Sequence, residues 1–547
     1  MLENTYTTCF GKFPELTEIQ KKTIPEILGG KNVLVVASTA SGKTEAVVAP
    51  ICEKMKEMDV SVNDGLFVLY IVPTIALVSD LVKRVKDEIE KIGFSVGSRT
   101  KDDRSFNLKK PQNFLFTTPE STDFLLSKHS SVLEKIRFVV IDELHFLDNS
   151  YRGDQIRVLL KRLERNSIKN KFSIFCMSAT VNEPEKMLLR YTNDGVICKA
   201  SGDRVIEFIK IDTRSSENYL KKFRTICEKH FKTHQKFLVF CNTKKEVIQF
   251  TSDLKKIYFD RQDDIVEHHA SLSKDQRKNI EEKLQKNRFA ICVCTTTLEL
   301  GIDIGDIDAV ILKNPPPTVS SMLQRIGRSN RRTKKSICFC IYDNDENKKI
   351  FSEMQHDAIK GIIENVKYFP DLSVCIQQIL SMVYQNHNDY ERMGLTLDRL
   401  LDFLSPLNFR RDVILKIIDY LMDEKQFLKY SRKNEELLIL PQTELLNMIE
   451  RNPSRIHNNI PDNKVDIPVY DQKNRLIGSI SPPERNIQSF NLAAQKWEIV
   501  SLSTKTIKVK NIEKSEEIPS FHHNNLGYFN KFIPKDIKDC GIEELLN

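Results

Sequence analysis

Short, uninterrupted apolar runs recur along the first 350 residues and alternate with segments of helical periodicity. Each run ends at polar or turn-forming residues, which is typical of strands buried on both faces of a parallel sheet. The first series predicts strands at NVLVVAS (32–38), LFVLYIVP (66–73), NFLFTTP (113–119), IRFVVID (136–142) and FSIFCMSA (172–179). A second series predicts strands at KFLVFCN (236–242), FAICVCTT (289–296), DAVILKN (308–314) and SICFCIY (336–342). Two consecutive series of this kind predict two tandem α/β domains.

Beyond about residue 350 the pattern becomes helical, with apolar positions at Leu372, Ile376, Ile379, Leu380 and Val383. Two more helical segments (395–404 and 411–422) and two short β-like pieces (427–430 and 437–440) follow. Three helices and a two-stranded wing would make a winged helix, and a plain helical cap is the alternative. From about residue 441 onward, alternating positions and turn residues predict a small antiparallel β domain.

Composition narrows the class of protein. A chain of 547 residues predicts about three to four domains and excludes a single small binding module. With 40% hydrophobic and 29% charged residues, the chain is globular rather than disordered. The net charge of +8 is compatible with a nucleic-acid partner but does not require one.

The sequence also predicts the cellular compartment of the protein. No apolar run approaches the roughly 18 residues of a membrane span, and the N-terminus lacks the pattern of a signal peptide. The 12 cysteines are scattered and form no CxxC pair, which favours buried reduced thiols over a metal site. We therefore expect a cytoplasmic protein without membrane contact.

A phosphate-binding loop is the first candidate for chemistry. The strand NVLVVAS runs into STASGKTEAVV (38–48), where Gly42-Lys43-Thr44 stands at a strand-to-helix turn. Such a loop wraps phosphates with backbone N–H groups, while the lysine reaches the phosphates and the hydroxyl binds Mg²⁺. Ala37 occupies the position of the first glycine in the usual pattern, so the match is incomplete.

A pair of acids is the second candidate. Asp142 and Glu143 follow the strand IRFVVID, at the carboxyl end where α/β sheets bind their ligands. Asp142 would hold Mg²⁺ through water, and Glu143 would polarise the attacking water. Ser178-Ala179-Thr180 follows the next strand, and an ordinary helix cap is the alternative for it.

Taken together, these segments resemble the motifs of superfamily 2 helicases of the DEAD/DEAH type, in the same order along the chain. The matching segments are LTEIQ (16–20), STASGKT (38–44), PTIAL (73–77), TTPES (117–121), DELH (142–145), SAT (178–180), FCNTKKE (240–246), TTTLELGIDIG (295–305) and QRIGRSNRR (324–332). The resemblance implies two RecA-like domains that bind ATP with Mg²⁺ between them.

The resemblance also implies roles for single residues. Gln20 corresponds to the glutamine that reads adenine, and Asp303 to an aspartate near the ribose. The phosphates and Mg²⁺ would be held by the loop residues Ser41, Gly42, Lys43, Thr44 and Glu45. Ser178 and Thr180 would couple the state of the nucleotide to the grip on nucleic acid. The catalytic set would be Lys43, Glu143, Gln324 and the arginine fingers Arg328 and Arg331. Asn330 replaces a usual glycine beside Arg331.

A more specific resemblance is to the large helicase-related (Lhr) family of DNA helicases. It rests on SGKTEA, DELHFLDNSYRGDQIRVLLKRL (142–163), HHASLSKDQR (268–277), LELGIDIG and RLIGSISPPERNIQSFNLAAQKWEIVSL (475–502). It implies RecA-like domains at 1–203 and 204–352, a winged-helix domain at 353–440 and a β-rich domain at 441–547.

Candidate contacts to nucleic acid also come from the resemblance. Thr74, Thr118, Thr243 and Thr296 would lie near the strand backbone, where hydroxyl groups suit phosphate binding without reading sequence. For each threonine, a strand end or helix cap is the alternative. Arg410 opens the predicted recognition helix and is a further candidate. Trp497 could stack on a base, but its neighbours Ile499 and Val500 favour a place in the β-domain core.

We therefore expect an ATP-dependent translocase or helicase, moving 3′ to 5′ on single-stranded DNA and unwinding DNA duplexes or RNA–DNA hybrids. It would act as a monomer in the cytoplasm near the nucleoid, in DNA repair or genome maintenance. One alternative is an RNA helicase. Another is an ATP-switched DNA-binding subunit of a repair or phage-defence complex, with protein partners.

Overall fold

The structure is a computed structural model of the 547-residue chain. It describes residues 2–547 except for short gaps at 39–40, 168–170, 180, 201–204, 215–218, 231–234, 270–271, 273, 300–304, 330–334, 364–367, 389–394, 434–435, 462–466, 473–475, 481–488, 493–494, 503–505 and 512–526.

The first domain is built on a seven-stranded sheet in the order β3-β4-β2-β5-β6-β1-β7, with every pairing parallel. Its strands are β1 (Val33–Val36), β2 (Val68–Ile71), β3 (Val96–Arg99), β4 (Phe114–Thr117), β5 (Phe138–Ile141), β6 (Ser173–Ser178) and β7 (Val196–Lys199). Its helices are α1 (Tyr6–Phe10), α2 (Glu18–Leu28), α3 (Lys43–Glu57), α4 (Ile75–Ile92), α5 (Pro119–Lys128), α6 (Leu144–Leu147), α7 (Tyr151–Asn166) and α8 (Pro184–Leu189). Two apolar clusters, one on each face, bury the sheet, which confirms the predicted doubly covered parallel sheet.

The second domain repeats this plan with six parallel strands in the order β10-β11-β9-β12-β13-β8. Its strands are β8 (Val205–Asp212), β9 (Gln235–Cys241), β10 (Ile265–His268), β11 (Phe289–Cys294), β12 (Ala309–Lys313) and β13 (Lys335–Tyr342). Its helices are α9 (Tyr219–His230), α10 (Lys244–Ile257), α11 (Lys274–Lys286), α12 (Val319–Ile326) and α13 (Asp345–Lys360). The prediction of two tandem α/β domains is confirmed.

A helical domain follows, with three helices and a small antiparallel sheet in the arrangement of a winged helix. The helices are α14 (Leu372–Asn388), α15 (Leu397–Leu404) and α16 (Arg411–Asp423), and the strands are β14 (Leu395–Thr396), β15 (Leu428–Lys433) and β16 (Glu436–Pro441). Two later helices, α17 (Thr443–Arg451) and α18 (Lys535–Lys538), contribute Leu445, Ile449 and Ile537 to the same core. The predicted boundary at residue 441 stays a prediction, but part of the chain beyond it packs in this domain.

The last sheet has five strands in the order β18-β17-β21-β20-β19. They are β17 (Ile467–Asp471), β18 (Leu476–Ile480), β19 (Ser489–Leu492), β20 (Gln495–Leu502) and β21 (Ile507–Asn511). The sheet was expected to be antiparallel, but β17 and β21 pair in parallel, so it is mixed. Trp497 is only 4% exposed and packs with Val469, Ile507 and Val509, which confirms its predicted place in the core.

The helical domain shares its core with the first α/β domain, because Tyr151 and Val158 of α7 belong to the same apolar cluster as α14. A buried ion pair crosses this junction: Arg162 Nη1 of α7 lies 2.7 Å from Asp123 Oδ1 of α5. The same carboxylate accepts hydrogen bonds from Gln378 and Ser381 of α14. The first domain and the helical domain are therefore joined by a continuous packed interface. Across the described residues, no helix is both long and apolar enough to cross a bilayer.

Candidate nucleotide and nucleic-acid site

The phosphate loop is held in shape by its glycine and its lysine. Gly42 has a φ of +85°, and a Cβ there would lie 2.3 Å from Gln20 Nε2, so the turn requires glycine. Lys43 opens α3 and is 8% exposed. Its Nζ donates to Ala37 O at 2.7 Å and to Ser178 O at 3.2 Å. The ammonium group therefore already lies between the loop and the end of β6, where a phosphate would sit.

Gln20, the predicted adenine-reading residue, lies directly against this loop. Thr17 and Gln20 form a capping box at the start of α2. Gln20 Nε2 donates to Gly42 O at 3.3 Å, and Thr17 Oγ1 donates to Ser41 O at 2.9 Å. The start of α2 and the phosphate loop are thus tied together by two contacts.

An arginine without a role in any motif also reaches the loop. Arg84 of α4 donates from Nη2 to Thr44 Oγ1 at 3.0 Å. Partial burial lowers the pKa of Arg84, but the nearby carboxylates of Asp80 and Glu45 raise it overall. Glu45, which the resemblance places among the nucleotide-binding residues, therefore lies near Arg84 at the first turn of α3.

The acidic pair stands where the sequence predicts it, directly after β5. Asp142 is 7% exposed, and its Oδ2 accepts a hydrogen bond from Tyr70 OH at 2.9 Å. Burial and the neighbouring charge of Glu143 raise the pKa of Asp142. Burial would also raise the pKa of Glu143, but Lys43, His145 and Arg328 outweigh it and hold this pKa below its usual value. Glu143 is therefore ionised at neutral pH, as a residue that polarises water must be.

His145 connects the acidic pair to the SAT segment, although sequence reasoning gave it no role. Its Nδ1 accepts the backbone N–H of Ala179 at 3.2 Å and lies 3.3 Å from Ser178 Oγ. Because Nδ1 is an acceptor, the ring proton is on Nε2, which lies 3.5 Å from Glu143 Oε2. Burial lowers the pKa of His145 to about 4; Glu143 opposes this shift, and Lys43 and Arg328 add to it. A neutral imidazole thus links Glu143 to Ser178, a predicted coupling residue.

The second domain contributes Arg328 to the same site. Arg328 is 2% exposed, donates from Nη2 to Glu299 O at 2.7 Å, and its charge acts on both Glu143 and His145. Its neighbour Arg325 is fully buried and pairs with the Glu299 carboxylate, so it serves the structure of the second domain. Gln324 Nε2 lies 3.2 Å from Ser320 Oγ. The predicted site residues Thr180, Asp303 and Arg331 lie outside the described residues.

The donor set fits a magnesium ion held with the nucleotide. Thr44 supplies a hydroxyl group and Asp142 a carboxylate, and Mg²⁺ prefers hard oxygen ligands of this kind. The raised pKa of Asp142 reflects a buried negative charge beside a second one, an arrangement that a divalent cation would stabilise.

The predicted nucleic-acid contacts follow strand ends of both sheets. Thr74 and Thr243 cap α4 and α10 by accepting backbone N–H groups, so the alternative of a helix cap is correct for their structure. Each hydroxyl still has its own proton to donate to a phosphate. Thr118 precedes α5 and is 5% exposed, whereas Thr296 is exposed. These contacts stay predictions.

Two arginines, Arg152 and Arg410, are held by contacts within the protein. Arg152 of α7 forms a bidentate pair with Glu120, at 2.7 and 2.9 Å, and also donates to Pro73 O. It thereby ties the loop of Thr74 to the helix that follows Thr118, a contact that the sequence did not predict. Arg410 binds the Asp412 carboxylate and donates to Glu544 O at 2.8 Å, so neighbouring groups compensate much of its positive charge.

Family models match both α/β domains. The DEAD/DEAH box helicase model matches residues 17–188, and the helicase conserved C-terminal domain matches residues 218–333. The chain is 32% identical to the ATP-dependent helicase Lhr-Core of Methanocaldococcus jannaschii over 438 residues, which are 73% of this chain and 51% of that protein. It is 28% identical to Lhr-Core of Saccharolobus solfataricus, over 93% of this chain and 62% of that protein. The chain thus spans about half to two thirds of the length of these relatives.

Solved structures agree on the fold. Helicase Lhr of Mycobacterium smegmatis, bound to single-stranded DNA and AMP-PNP, superimposes with a TM-score of 0.71 at 23% identity, covering 84% of this chain and 62% of that one. The DUF1998 helicase MrfA bound to DNA gives a TM-score of 0.66 at 18% identity, covering 94% of this chain and 73% of that one. The chain therefore carries the two domains of a DEAD/DEAH box helicase in tandem, and over most of its length it is similar to the Lhr-Core helicases, at about 30% identity.

Proposed function

We propose that the chain is an ATP-dependent translocase that moves 3′ to 5′ on single-stranded DNA and unwinds DNA duplexes or RNA–DNA hybrids. The observation that carries the proposal is the convergence of Lys43, Glu143 and Arg328. Lys43 and Glu143 belong to the first domain, and Arg328 belongs to the second. Nucleotide turnover at this site would therefore depend on how the two domains meet.

Each residue has a definite task in this proposal. Bound ATP with Mg²⁺ would supply the phosphoryl group that is transferred to water. Lys43 would bind the phosphates, Thr44 and Asp142 would hold the metal, and Glu143 would orient and polarise the attacking water. Arg328 would stabilise the charge that develops on the phosphoryl oxygens. His145 would couple the position of Glu143 to that of Ser178, because its ring lies against both side chains.

Relatives support nucleic acid as the second ligand, without deciding which polymer. The Lhr structure is described as bound to single-stranded DNA, and the MrfA structure as bound to DNA. The helicase Mss116, bound to single-stranded RNA, also shares the fold, with a TM-score of 0.57. An RNA helicase is therefore the second candidate. We further propose a monomer acting in DNA repair or genome maintenance near the nucleoid.

A strand-displacement assay tests the proposal. The substrates are DNA, RNA and hybrid duplexes with a 3′ or a 5′ single-stranded tail, and Glu143→Gln is the inactive control. We expect ATP-dependent unwinding of 3′-tailed substrates with a DNA tail. Unwinding only with RNA tails would favour the second candidate. ATP hydrolysis without displacement of any strand would favour an ATP-switched clamp that needs a partner.

A further inference from the structure

A cluster of basic side chains surrounds Phe124 on α5, beyond the predicted nucleic-acid contacts. The guanidinium of Arg99 lies 5.0 Å from the centre of the Phe124 ring, and Lys128 Nζ lies 5.5 Å from it. The His129 ring is 5.9 Å away. Arg104, on the loop after β3, acts electrostatically on Arg99. We call Arg99, Arg104, Lys128 and His129 with Phe124 the Phe124 cluster.

The positive charges of Arg99 and Arg104 repel each other, and within the part of the chain that the structure describes they have no partner of opposite sign. Burial and then Arg104 lower the pKa of Arg99, and burial, Arg99 and Lys128 lower the pKa of His129. Among the described residues, no carboxylate forms an ion pair with Arg99, Arg104 or Lys128. By contrast, several other arginines of the same domain bind a carboxylate, among them Arg152, Arg162 and Arg190.

The position of Arg99 extends the row of predicted contacts across the sheet. Thr74 follows β2, Thr118 follows β4, and Arg99 ends β3, which is the next strand outward in the order β3-β4-β2. Arg99 is in register with Thr117, whose Oγ1 donates to Arg99 O at 2.7 Å. Neighbouring strands are about 4.8 Å apart, so Arg99 lies roughly 10 Å from the end of β2. All three positions are at the carboxyl edge, where such sheets bind ligands.

The contact with Phe124 keeps Arg99 ready to bind an anion. An aromatic face orients a guanidinium without using its N–H groups, whereas a carboxylate would occupy them. No side-chain N–H of Arg99 donates to an acceptor among the residues that the structure describes. Two parallel N–H groups of a guanidinium match a phosphate in bidentate geometry.

We propose that the Phe124 cluster binds the phosphodiester backbone of a single strand next to the segment that meets Thr74 and Thr118. This inference rests on the proposed function, since it assumes a nucleic-acid strand across the first domain. The contact is with phosphate and is shared by DNA and RNA. It lengthens the track toward the junction with α14, where Lys128 also lies 5.5 Å from the centre of the Tyr384 ring.

The test compares Arg99→Gln, Lys128→Gln and the double variant with two matched controls. Lys56→Gln removes a lysine over Phe94, and Arg261→Gln removes an arginine over Phe289, both outside the cluster. The affinity of the full chain for a labelled oligo-dT strand is measured against salt concentration. Each lost phosphate contact makes the slope of log K against log salt shallower by about 0.7 for single strands.

We expect the double variant to lose at least about tenfold in affinity and about 1.4 in salt slope, the value for two phosphates. ATP affinity and unstimulated hydrolysis of the double variant should stay at the wild-type level. Both control variants should keep the wild-type affinity for the strand and the wild-type salt slope. The measurement is repeated with oligo-rU, and a loss with either polymer supports the site. The proposed site is wrong if the wild type binds the strand and the double variant keeps the wild-type salt slope. It is also wrong if the control variants lose as much affinity as the double variant. A wild-type chain that binds neither polymer overturns the proposed function as well.

Discussion

We expect the buried ion pair of Arg162 and Asp123 to stabilise the interface between the first domain and the helical domain. Asp123 is fully buried and accepts hydrogen bonds from Arg162 at 2.7 Å, Gln378 at 2.9 Å and Ser381 at 2.6 Å. Arg162 also donates to Gln385 Oε1 at 2.7 Å. Burial would raise the pKa of Asp123, but Arg162, His457 and Ser381 together outweigh it, with Arg162 the largest of the three, and hold that pKa far below its usual range.

Arg162→Met removes the cation and leaves the Asp123 carboxylate buried without it. Breaking one partner of a buried pair costs about 3–5 kcal/mol, because the remaining charge has lost both water and its counter-ion. Since about 1.4 kcal/mol is a factor of ten, local opening of this junction should become roughly 100- to 4,000-fold more frequent. Asp123→Asn combined with Arg162→Met removes both charges and should recover more than half of the loss.

Hydrogen exchange of the α5 and α14 amides measures this opening, because global unfolding of a multidomain chain is not a two-state process. The matched control is Arg165→Met, one turn along α7, where the side chain is 55% exposed and pairs with Asp402. An exposed pair of this kind contributes about 0–1 kcal/mol, so protection should hardly change. Unchanged protection of α14 in Arg162→Met, or no recovery in the double variant, would refute the reasoning.

Three further predictions concern the nucleotide site. Glu143→Gln should keep ATP binding and abolish hydrolysis, because the amide cannot polarise water; DNA-stimulated turnover that persists in this variant would remove the assignment. Arg328→Ala should slow hydrolysis with little change in ATP affinity, since its charge is needed only when the phosphoryl group transfers, and an unchanged rate constant would exclude this role. His145 has a folded pKa of about 4, below its usual 6.5, so its neutral form contributes stability above pH 6.5 that is lost as the pH falls toward 4. This loss is about 3 kcal/mol, so His145→Asn should flatten the pH dependence of the opening free energy of the β6 amides, measured by hydrogen exchange over that window; equal slopes in both proteins would contradict it.

The interior strands of both sheets could be predicted from the sequence, and the edge strands could not. The unpredicted strands of the two α/β domains are β3, β7, β8 and β10, and each lies at an edge of its sheet. An interior strand of a parallel sheet is covered on both faces and reads as a continuous apolar run. An edge strand has more contact with solvent, so β3 reads VGSR and β10 reads IVEH. Their places in the fold come from pairing with neighbours, which a local pattern does not contain.

The same distinction applies to the site. Lys43 and Glu143 lie inside contiguous motifs, so their chemistry could be inferred from adjacent residues and their place after a strand. Arg84 reaches Thr44 from 40 residues away, and Arg152 reaches Pro73 from 79 residues away. Long side chains that bridge separate loops leave no local signature, because either partner alone reads as an ordinary polar residue of a helix. These bridging contacts are nevertheless what fix the relative positions of the loops.

The net charge of +8 gains a different meaning once the arginines are placed. Arg152, Arg162 and Arg190 each pair with a carboxylate inside the protein. Each therefore contributes to the shape of the first domain and little to the electrostatic field around it. Arg99 and Lys128 pair with no carboxylate in the described ranges and therefore contribute to the electrostatic field outside the protein. A translocase must release each phosphate as it steps, so a few unpaired charges along one edge serve it better than a uniformly basic surface. The sign and size of the total charge cannot separate these two cases, and only the pairing of individual side chains does.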